Sequence, residues 1–339
     1  MVIHLFSSYP RRYETIISKL FGIRVVVKAS APGKLILFGE HFVVYGLPAI
    51  ATAIETRTVA EVQRAKEFSL LDNRPETPGY KKEKHDQQSD SIRRMLKAMR
   101  LEGKKVRIVL GGDLVAASGV GASGASCAAI AAALNEEFAL GLDRDGINDV
   151  AYEGEKGYHG VPSGIDNCCS SYGGFIHFRK DLKTGKSVIR QLHSKVHLSI
   201  VVGNTGLTSN TTKVVGDVKA KKEKEPGKFK KIFDNYSKIA EEAEVSVEKG
   251  DLVKIGLLMN MNHLLLEEMG VSCDELEELV DLASRNGALG AKLTGTGRGG
   301  LMVALVTGET GSRVASAIKK AGYHSEITKI GAEGVKVIR

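Results

Sequence analysis

The hydrophobic pattern near the start of the chain predicts a β-hairpin. The β-branched run IRVVV at residues 23–27 is typical of a strand, and a second strand-like run follows at 35–38. Pro32 and Gly33 lie between the two runs and indicate a turn. Further strands are predicted at 106–110, 198–202, 301–305, 325–330 and 335–338.

Alanine content and helical spacing predict the helices. Residues 126–138 are rich in alanine, and hydrophobic residues recur at helical spacing within 92–99 and 232–247. Ser272 and Glu275 stand in the pattern of a capping box and predict a helix that starts beside them. Strands and helices mix without a strict alternation, which favours an α+β fold over a doubly wound α/β fold.

Length predicts about two domains, since a domain typically takes about 150 residues and the chain has 339. The pattern changes around Gly185, where a new series of strands and helices begins. We expect an extension of unknown role at 1–24, an N-terminal domain at 25–190 and a C-terminal domain at 191–339.

Charge favours small anionic ligands over nucleic acid. The net charge of 48 − 40 = +8 is spread along the chain. Seven lysines crowd residues 219–231, but acidic residues, a proline and a glycine interrupt them, so we predict a solvated loop there and no nucleic-acid partner. The polar stretch 72–90 is likewise predicted to be an exposed excursion.

The pattern favours neither a membrane span, nor secretion, nor paired cysteines. It leaves open whether the N-terminal segment is a short amphipathic extension, a weak organelle presequence or the product of an upstream start codon. The uncharged stretch 114–135 has 22 residues, but its Gly, Ala and Ser content predicts a buried loop and helix instead of a membrane span. Arg11 and Arg12 stand where a signal peptide needs an apolar core. Four cysteines without a CxxC pair predict reduced thiols. We expect a cytoplasmic protein with no membrane partner, and the sequence leaves open whether it forms a homodimer.

Two glycine-rich segments match the pattern GxGxxG, at 119–124 and 295–300. Neither has the strand, helix and acidic residue of a dinucleotide site around it. In the first segment, however, a helix is predicted immediately after the glycines, and backbone N–H groups at a helix start bind phosphate. Ser123 and Ser126 add hydroxyl groups of a kind that often bind Mg²⁺ beside a phosphate loop.

Three segments together resemble the GHMP kinases. They are APGKLILFGEHFVVYG at 31–46, GVGASGA at 119–125 and KLTGTGRGG at 292–300, in the order and spacing of that family. A fourth segment, GEKGYHGVPSGIDN at 154–167, is more similar to the branch that phosphorylates mevalonate than to galactokinases or homoserine kinases. The resemblance implies an N-terminal domain like ribosomal protein S5 and a ferredoxin-like C-terminal domain.

The resemblance also implies an activity and a set of site residues. It implies transfer of phosphate from ATP, with Mg²⁺, to the 5-hydroxyl of mevalonate, a small-molecule substrate. Asp166 is implied as the base and Lys34 as the fixed cation beside it, while Ser123 and Glu155 are implied as Mg²⁺ ligands. The ATP phosphates would be bound by Gly119, Val120, Gly121, Ala122, Ser123, Gly124 and Ala125, and the substrate by Glu40, His41 and Thr205.

Departures from the family pattern leave alternatives open. Ala122 stands where the family has a serine, Gly124 where it has an alanine, and Arg298 interrupts the third segment, where we expect it to face solvent. Another GHMP kinase, such as one that phosphorylates phosphomevalonate, would carry the same loops. A catalytically silent ligand sensor is the alternative from another class, although retention of Lys34 and Asp166 argues against it.

Overall fold

The computed structural model describes residues 26–116, 119–185, 187–194 and 198–338. The predicted extension at 1–24 and most of the predicted first strand run lie outside these residues. Within them, strands and helices mix as an α+β fold, as the sequence predicts.

The described part of the chain begins with one continuous strand through Pro32 and Gly33, so the predicted hairpin is wrong. Strand β1 spans Val27–Phe38 and pairs antiparallel with β2, Ala49–Arg64, with a register shift between Pro32 and Lys34. A Cβ atom on Gly33 would lie 2.7 Å from both the Leu114 side chain and the Val120 carbonyl oxygen. Gly33 is therefore needed for close packing in a bulged strand, and it does not form a turn.

The long strand β2 pairs with a different strand in each of its halves. Its second half pairs with β4, Val106–Gly112, which pairs in parallel with β3, Ser69–Asp72. Its first half pairs with β5, Phe175–Lys180, which is followed in the sheet by β6, Ser187–Leu192. The final strand, β11 at Lys336–Ile338, returns to pair with β1.

Four helices accompany these strands: α1 at Tyr80–Ala98, α2 at Ala122–Phe138, α3 at Arg144–His159 and α4 at Ile165–Tyr172. Helix α1 begins inside the polar stretch 72–90. Most of this stretch is exposed or half-buried, as predicted, but Arg74 and Gln88 are buried. Helix α2 is buried around most of its circumference, because small alanine side chains let β1, β2, α3 and α4 pack closely against it.

The second half of the chain adds a four-stranded antiparallel group in the order β10-β7-β9-β8. Its strands are β7 at Leu198–Asn204, β8 at Gly290–Thr294, β9 at Leu301–Val306 and β10 at His324–Ile330. Its helices are α5 at Thr211–Lys224, α6 at Pro226–Lys249, α7 at Leu252–Met269, α8 at Asp274–Arg285 and α9 at Gly308–Lys320. Strand β10 joins β2 by one residue pair, Ile330 with Ile54.

Two local predictions in this half are wrong. The lysine-rich residues lie on α5 and at the start of α6, because Val214 and Val218 give α5 a buried face and Pro226 starts α6. Ser272 does not cap α8: the helix follows Cys273, and the Ser272 hydroxyl donates to Glu277 instead. None of the described helices is long and apolar enough to cross a membrane.

Candidate active site

The second segment forms a turn that leads directly into α2. Gly119 and Gly121 have φ angles of 79° and 71°, and Gly121 is the residue that precedes the helix. No residue larger than glycine fits at position 121, because a Cβ atom there would lie 2.7 Å from the Lys34 side chain. The start of α2 has no side-chain cap, so the amides of its first turn are suited to bind an anion.

Gly124 brings α2 against the residue expected to act as the base. A Cβ atom on Gly124 would lie 2.8 Å from the backbone carbonyl carbon of Asp166 and 3.0 Å from its Cβ atom. The alanine found here in the family pattern would therefore force α4 away from α2. In this chain the departure at Gly124 has a structural reason, namely the close contact of the two helices at Asp166.

Lys34 and Asp166 meet beside this contact. Lys34 Nζ lies 3.0 Å from Asp166 Oδ1, and the side chains are 13% and 25% exposed. Burial alone would lower the pKa of Lys34, but the charge and hydrogen bond of Asp166 outweigh it and raise the pKa above its ordinary value. The backbone N–H of Lys34 donates to the Val120 carbonyl at 2.8 Å, which ties the pair to the glycine turn.

A second carboxylate lies close to this pair. Glu155 on α3 is 1% exposed, and burial together with the nearby charge of Asp166 raises its pKa to about 8, while a hydrogen bond from Ser123 and the charge of Lys34 oppose the shift. Ser123 Oγ also lies 3.4 Å from His159 Nε2. Two carboxylates and a hydroxyl thus converge at the start of α2. Ser126 does not join them, because its buried hydroxyl donates to the Ala122 carbonyl at 2.7 Å.

Glu40 is buried in an ion pair that the sequence did not indicate. Its Oε1 accepts from Lys292 Nζ at 2.5 Å, and both side chains have no exposed area. Lys292 Nζ also donates to the Leu293 carbonyl at 2.6 Å, and burial lowers the pKa of this lysine despite the charge of Glu40. Glu40 Oε2 is buried and has no hydrogen-bond partner among the described residues.

His41 and Thr205 both contact the third segment through its backbone. His41 Nε2 lies 2.7 Å from the Thr296 carbonyl oxygen, and burial lowers the pKa of the ring. The imidazole is therefore neutral near pH 7 and donates from Nε2. Thr205 Oγ1 donates to the Gly300 carbonyl at 3.0 Å. Both residues line the same loop.

Arg298 does not face solvent as expected. Its Nη1 lies 2.5 Å from Asp217 Oδ2 on α5, its Nε donates to the Gly270 carbonyl at 3.1 Å, and its side chain is 29% exposed. The residue adopts a φ of 52°, which glycine would adopt more easily. These contacts fix α5 and the end of α7 to the third segment.

Three buried charged residues near the site were missed by the sequence reasoning: Asp72, Arg74 and Lys292. Lys292 lies within the third segment, and its place inside a buried strand was a signal that a partner was needed. Asp72 and Arg74 belong to the stretch predicted to be exposed, and nothing in the local pattern marks them.

The geometry of the site defines a class of protein. A helix start suited to phosphate lies beside a lysine, a carboxylate and a second, buried carboxylate, which are the groups that transfer of a phosphoryl group to a hydroxyl requires. The fold and site are those of a small-molecule kinase.

Comparisons with known proteins agree. The family model for the GHMP kinase N-terminal domain matches residues 90–174, and the model for the GHMP kinase C-terminal domain matches 243–324. The mevalonate kinase of Pyrococcus abyssi is 36% identical over 335 residues, covering 92% of this chain and 98% of that protein. The mevalonate kinase of Pyrococcus horikoshii is 37% identical over 334 residues, covering 92% and 97%.

A solved structure is similar over nearly the same length. The crystal structure of L. major mevalonate kinase in complex with R-mevalonate has a TM-score of 0.84 and 39% identity, and covers 91% of this chain and 96% of that one. The chain belongs to the mevalonate kinase family of the GHMP kinases. The predicted family and fold are therefore confirmed.

Proposed function

We propose that the protein transfers the γ-phosphoryl group of ATP to the 5-hydroxyl of mevalonate, giving 5-phosphomevalonate for isoprenoid synthesis. The observation that carries this proposal is the contact of Lys34 with Asp166 at 3.0 Å directly beside the glycine turn and the start of α2. The similarity to mevalonate kinases over nine-tenths of the chain supports the choice of acceptor.

Asp166 and Lys34 have different roles at the acceptor hydroxyl. Asp166 orients the hydroxyl and takes its proton as the oxygen bonds to the γ-phosphorus, while the bond from the γ-phosphorus to the ADP oxygen breaks. Lys34 stabilises the negative charge that develops on the oxygens during transfer. Its raised pKa keeps it charged throughout the neutral range. The backbone of residues 119–125 holds the ATP phosphates.

The residues at the start of α2 fit a magnesium ion. Ser123 and Glu155 offer hard oxygen ligands. Burial, and after it the charge of Asp166, raise the pKa of Glu155, and a divalent cation bound there would favour the ionised carboxylate. We propose that these two residues hold Mg²⁺ together with ATP. Bound there, the ion would neutralise charge on the phosphates.

A small hollow lies between α1 and the glycine turn, beside the proposed phosphate site. Its walls include Tyr80, Lys84, Ser123 and Tyr158. On the acceptor side, we propose that Glu40, His41 and Thr205 border the mevalonate pocket.

The remaining expectations form part of the same proposal. We propose a division into domains at 25–190 and 191–339, with β11 of the second unit completing the sheet of the first. We also propose that the enzyme works in the cytoplasm on a small molecule, without a nucleic-acid or membrane partner. A homodimer stays an open prediction.

The test is an ADP-release assay across mevalonate, phosphomevalonate, galactose and homoserine. We expect efficient turnover of mevalonate alone. Turnover of phosphomevalonate or galactose without turnover of mevalonate would show a GHMP kinase with another acceptor. No turnover of any acceptor, combined with tight binding of one of them, would favour a silent sensor and contradict the proposal.

A further inference from the structure

Arg74 lies against the phosphate-binding turn, in a part of the chain that neither family model matches. The residue follows β3, and its side chain is 4% exposed. Its Nη1 donates to the Ala122 carbonyl oxygen at 3.2 Å and also to the Ser126 hydroxyl. Ala122 is the first residue of α2, so the buried cation that follows β3 contacts the first turn of the helix that would bind ATP.

Asp72 holds the guanidinium of Arg74 in place. Arg74 Nε lies 3.0 Å from Asp72 Oδ1, and Nη2 lies 2.6 Å from Oδ2, which makes a bidentate pair. Gln88 on α1 donates to the same Oδ2 at 2.8 Å. Lys81 Nζ donates to the backbone carbonyls of both members of the pair, at 2.9 Å and 2.5 Å. The orientation of Arg74 is therefore fixed from several sides.

The guanidinium of Arg74 has only one N–H donor left for a further hydrogen bond. A guanidinium carries five N–H groups. Four of those on Arg74 are used, by the two oxygens of Asp72, the Ala122 carbonyl and the Ser126 hydroxyl. A buried side chain with one free hydrogen-bond donor is suited to orient the protein backbone and not to bind a triphosphate directly.

The peptide between Ala122 and Ser123 transmits this contact to the site. A trans peptide is planar, and its C=O and N–H point in opposite directions. The described chain has no cis peptide. When Arg74 holds the Ala122 oxygen on one side, the Ser123 N–H is held on the opposite side, among the amides of the first turn.

We propose that Arg74, fixed by Asp72, is a positioning residue for ATP: it orients the first peptide of α2 so that its amide meets a phosphate. This inference rests on the proposed function, because it needs ATP at the glycine turn. It goes beyond that function in assigning a role to the segment between β3 and α1.

The test measures binding of the ATP analogue adenylyl imidodiphosphate by calorimetry, together with KM for ATP and for mevalonate. The main variant is the double substitution Asp72→Asn with Arg74→Met, which removes both charges and avoids leaving one buried alone. We expect Kd for the analogue and KM for ATP to rise about 10-fold or more, with KM for mevalonate changed less than about threefold, because one phosphate contact is misaligned. Arg74→Lys, which keeps the charge but not the fork, should restore part of the affinity.

A matched control separates positioning from loss of stability. Val314→Ala creates a cavity under the buried face of α9, a helix that packs mainly on α8, β7 and β10. It should lower Tm by a similar amount and leave analogue binding unchanged. If the double variant binds the analogue as well as the wild type, or if the control weakens binding equally, the role of Arg74 is overturned. If the wild type itself binds no analogue, the proposed function fails together with this inference.

Discussion

Glu40 and Lys292 are 252 residues apart in the chain, and their side chains form an ion pair of 2.5 Å from which solvent is excluded. Glu40 follows β1, while Lys292 lies in β8. Two further contacts run alongside, since Thr294 Oγ1 donates to the Ile36 carbonyl at 2.9 Å and His41 Nε2 contacts the Thr296 carbonyl at 2.7 Å. The first and third segments are therefore joined at three points, and the wall of the proposed substrate pocket spans both halves of the chain.

Removing one partner of this pair should be more harmful than removing both charges. Lys292→Met leaves the Glu40 carboxylate buried without its cation, which we expect to cost about 3–5 kcal/mol of stability. Urea unfolding of the purified variant measures this loss.

The comparison variant is Glu40→Gln combined with Lys292→Met. It leaves no buried charge, so we expect it to recover most of the lost free energy of unfolding. If the single and double variants prove equally unstable, the charge of Glu40 is not what makes the single substitution costly.

Restoring the family's alanine at position 124 should impair catalysis. Gly124→Ala places a Cβ atom 2.8 Å from the Asp166 carbonyl carbon and pushes α4 away. Because a displacement of about 1 Å in a catalytic group can cost about 100-fold, we expect kcat to fall 10- to 100-fold, with KM for ATP nearly unchanged. Steady-state kinetics in both substrates measures this separation.

Gly216→Ala is the matched control for that substitution. Gly216 lies on α5, and a Cβ atom there meets no atom within 4 Å. We expect normal activity and a gain of about 0.4–1 kcal/mol in stability, since alanine restricts the unfolded chain. Normal kcat in Gly124→Ala would mean that α4 tolerates the displacement and that its contact with α2 is not needed for catalysis.

The local pattern predicts elements well where burial follows a regular period. The strands at 301–305 and 325–330 and the helix from 232 to 247 are confirmed, because β-branched runs and helical spacing determine which side chains are buried. The hairpin at Pro32 and Gly33 is wrong for a different reason. A glycine that permits a close contact with Leu114 has the same local appearance as a glycine that permits a turn.

In the candidate site, too, residues with a local sequence pattern are predicted, and contacts between distant parts of the chain are not. The resemblance gave Lys34 and Asp166 from sequence, and the structure brings them together at 3.0 Å. The partner of Glu40 could not be found this way, since an ion pair across 252 residues leaves no local spacing. Arg298 is predicted to face solvent because arginine is usually exposed, but Asp217, which binds it, lies on α5, a helix that the sequence pattern does not predict.

Asp166→Asn should reduce the chemical step while ATP still binds. The amide cannot accept the hydroxyl proton, so we expect kcat to fall about 10²- to 10⁴-fold, the usual contribution of a general base. Kd for adenylyl imidodiphosphate should stay near the wild-type value. Asp86→Asn is the control, because the Asp86 side chain is exposed on α1 and should leave kcat unchanged. Wild-type turnover in Asp166→Asn would remove this residue from the mechanism.

His263 should make the protein less stable in mild acid. Its ring is buried between two partners: Nδ1 accepts from the Leu293 N–H at 3.3 Å, and Nε2 lies 3.2 Å from a carboxylate oxygen of Glu277. Burial lowers the pKa of this histidine, and the charge of Lys292 adds to that shift, although Glu277 opposes it. The folded protein therefore holds the ring neutral at a pH where the unfolded chain already binds a proton.

The sign of the effect follows from linkage. Above about pH 6.5, the pKa of an unfolded histidine, the neutral ring contributes its full stability. As the pH falls from there through the lower folded pKa, the unfolded state binds more protons, and the free energy of unfolding drops by up to about 1.4 kcal/mol per pH unit for this one group. Urea unfolding of the wild type and of His263→Gln between pH 7.5 and 5 measures the difference. His41, His159 and His177 also have lowered pKa values and remain in both proteins, so the variant should lose stability less steeply but not become independent of pH. Parallel curves for the two proteins would show that His263 takes up its proton equally in the folded and unfolded states.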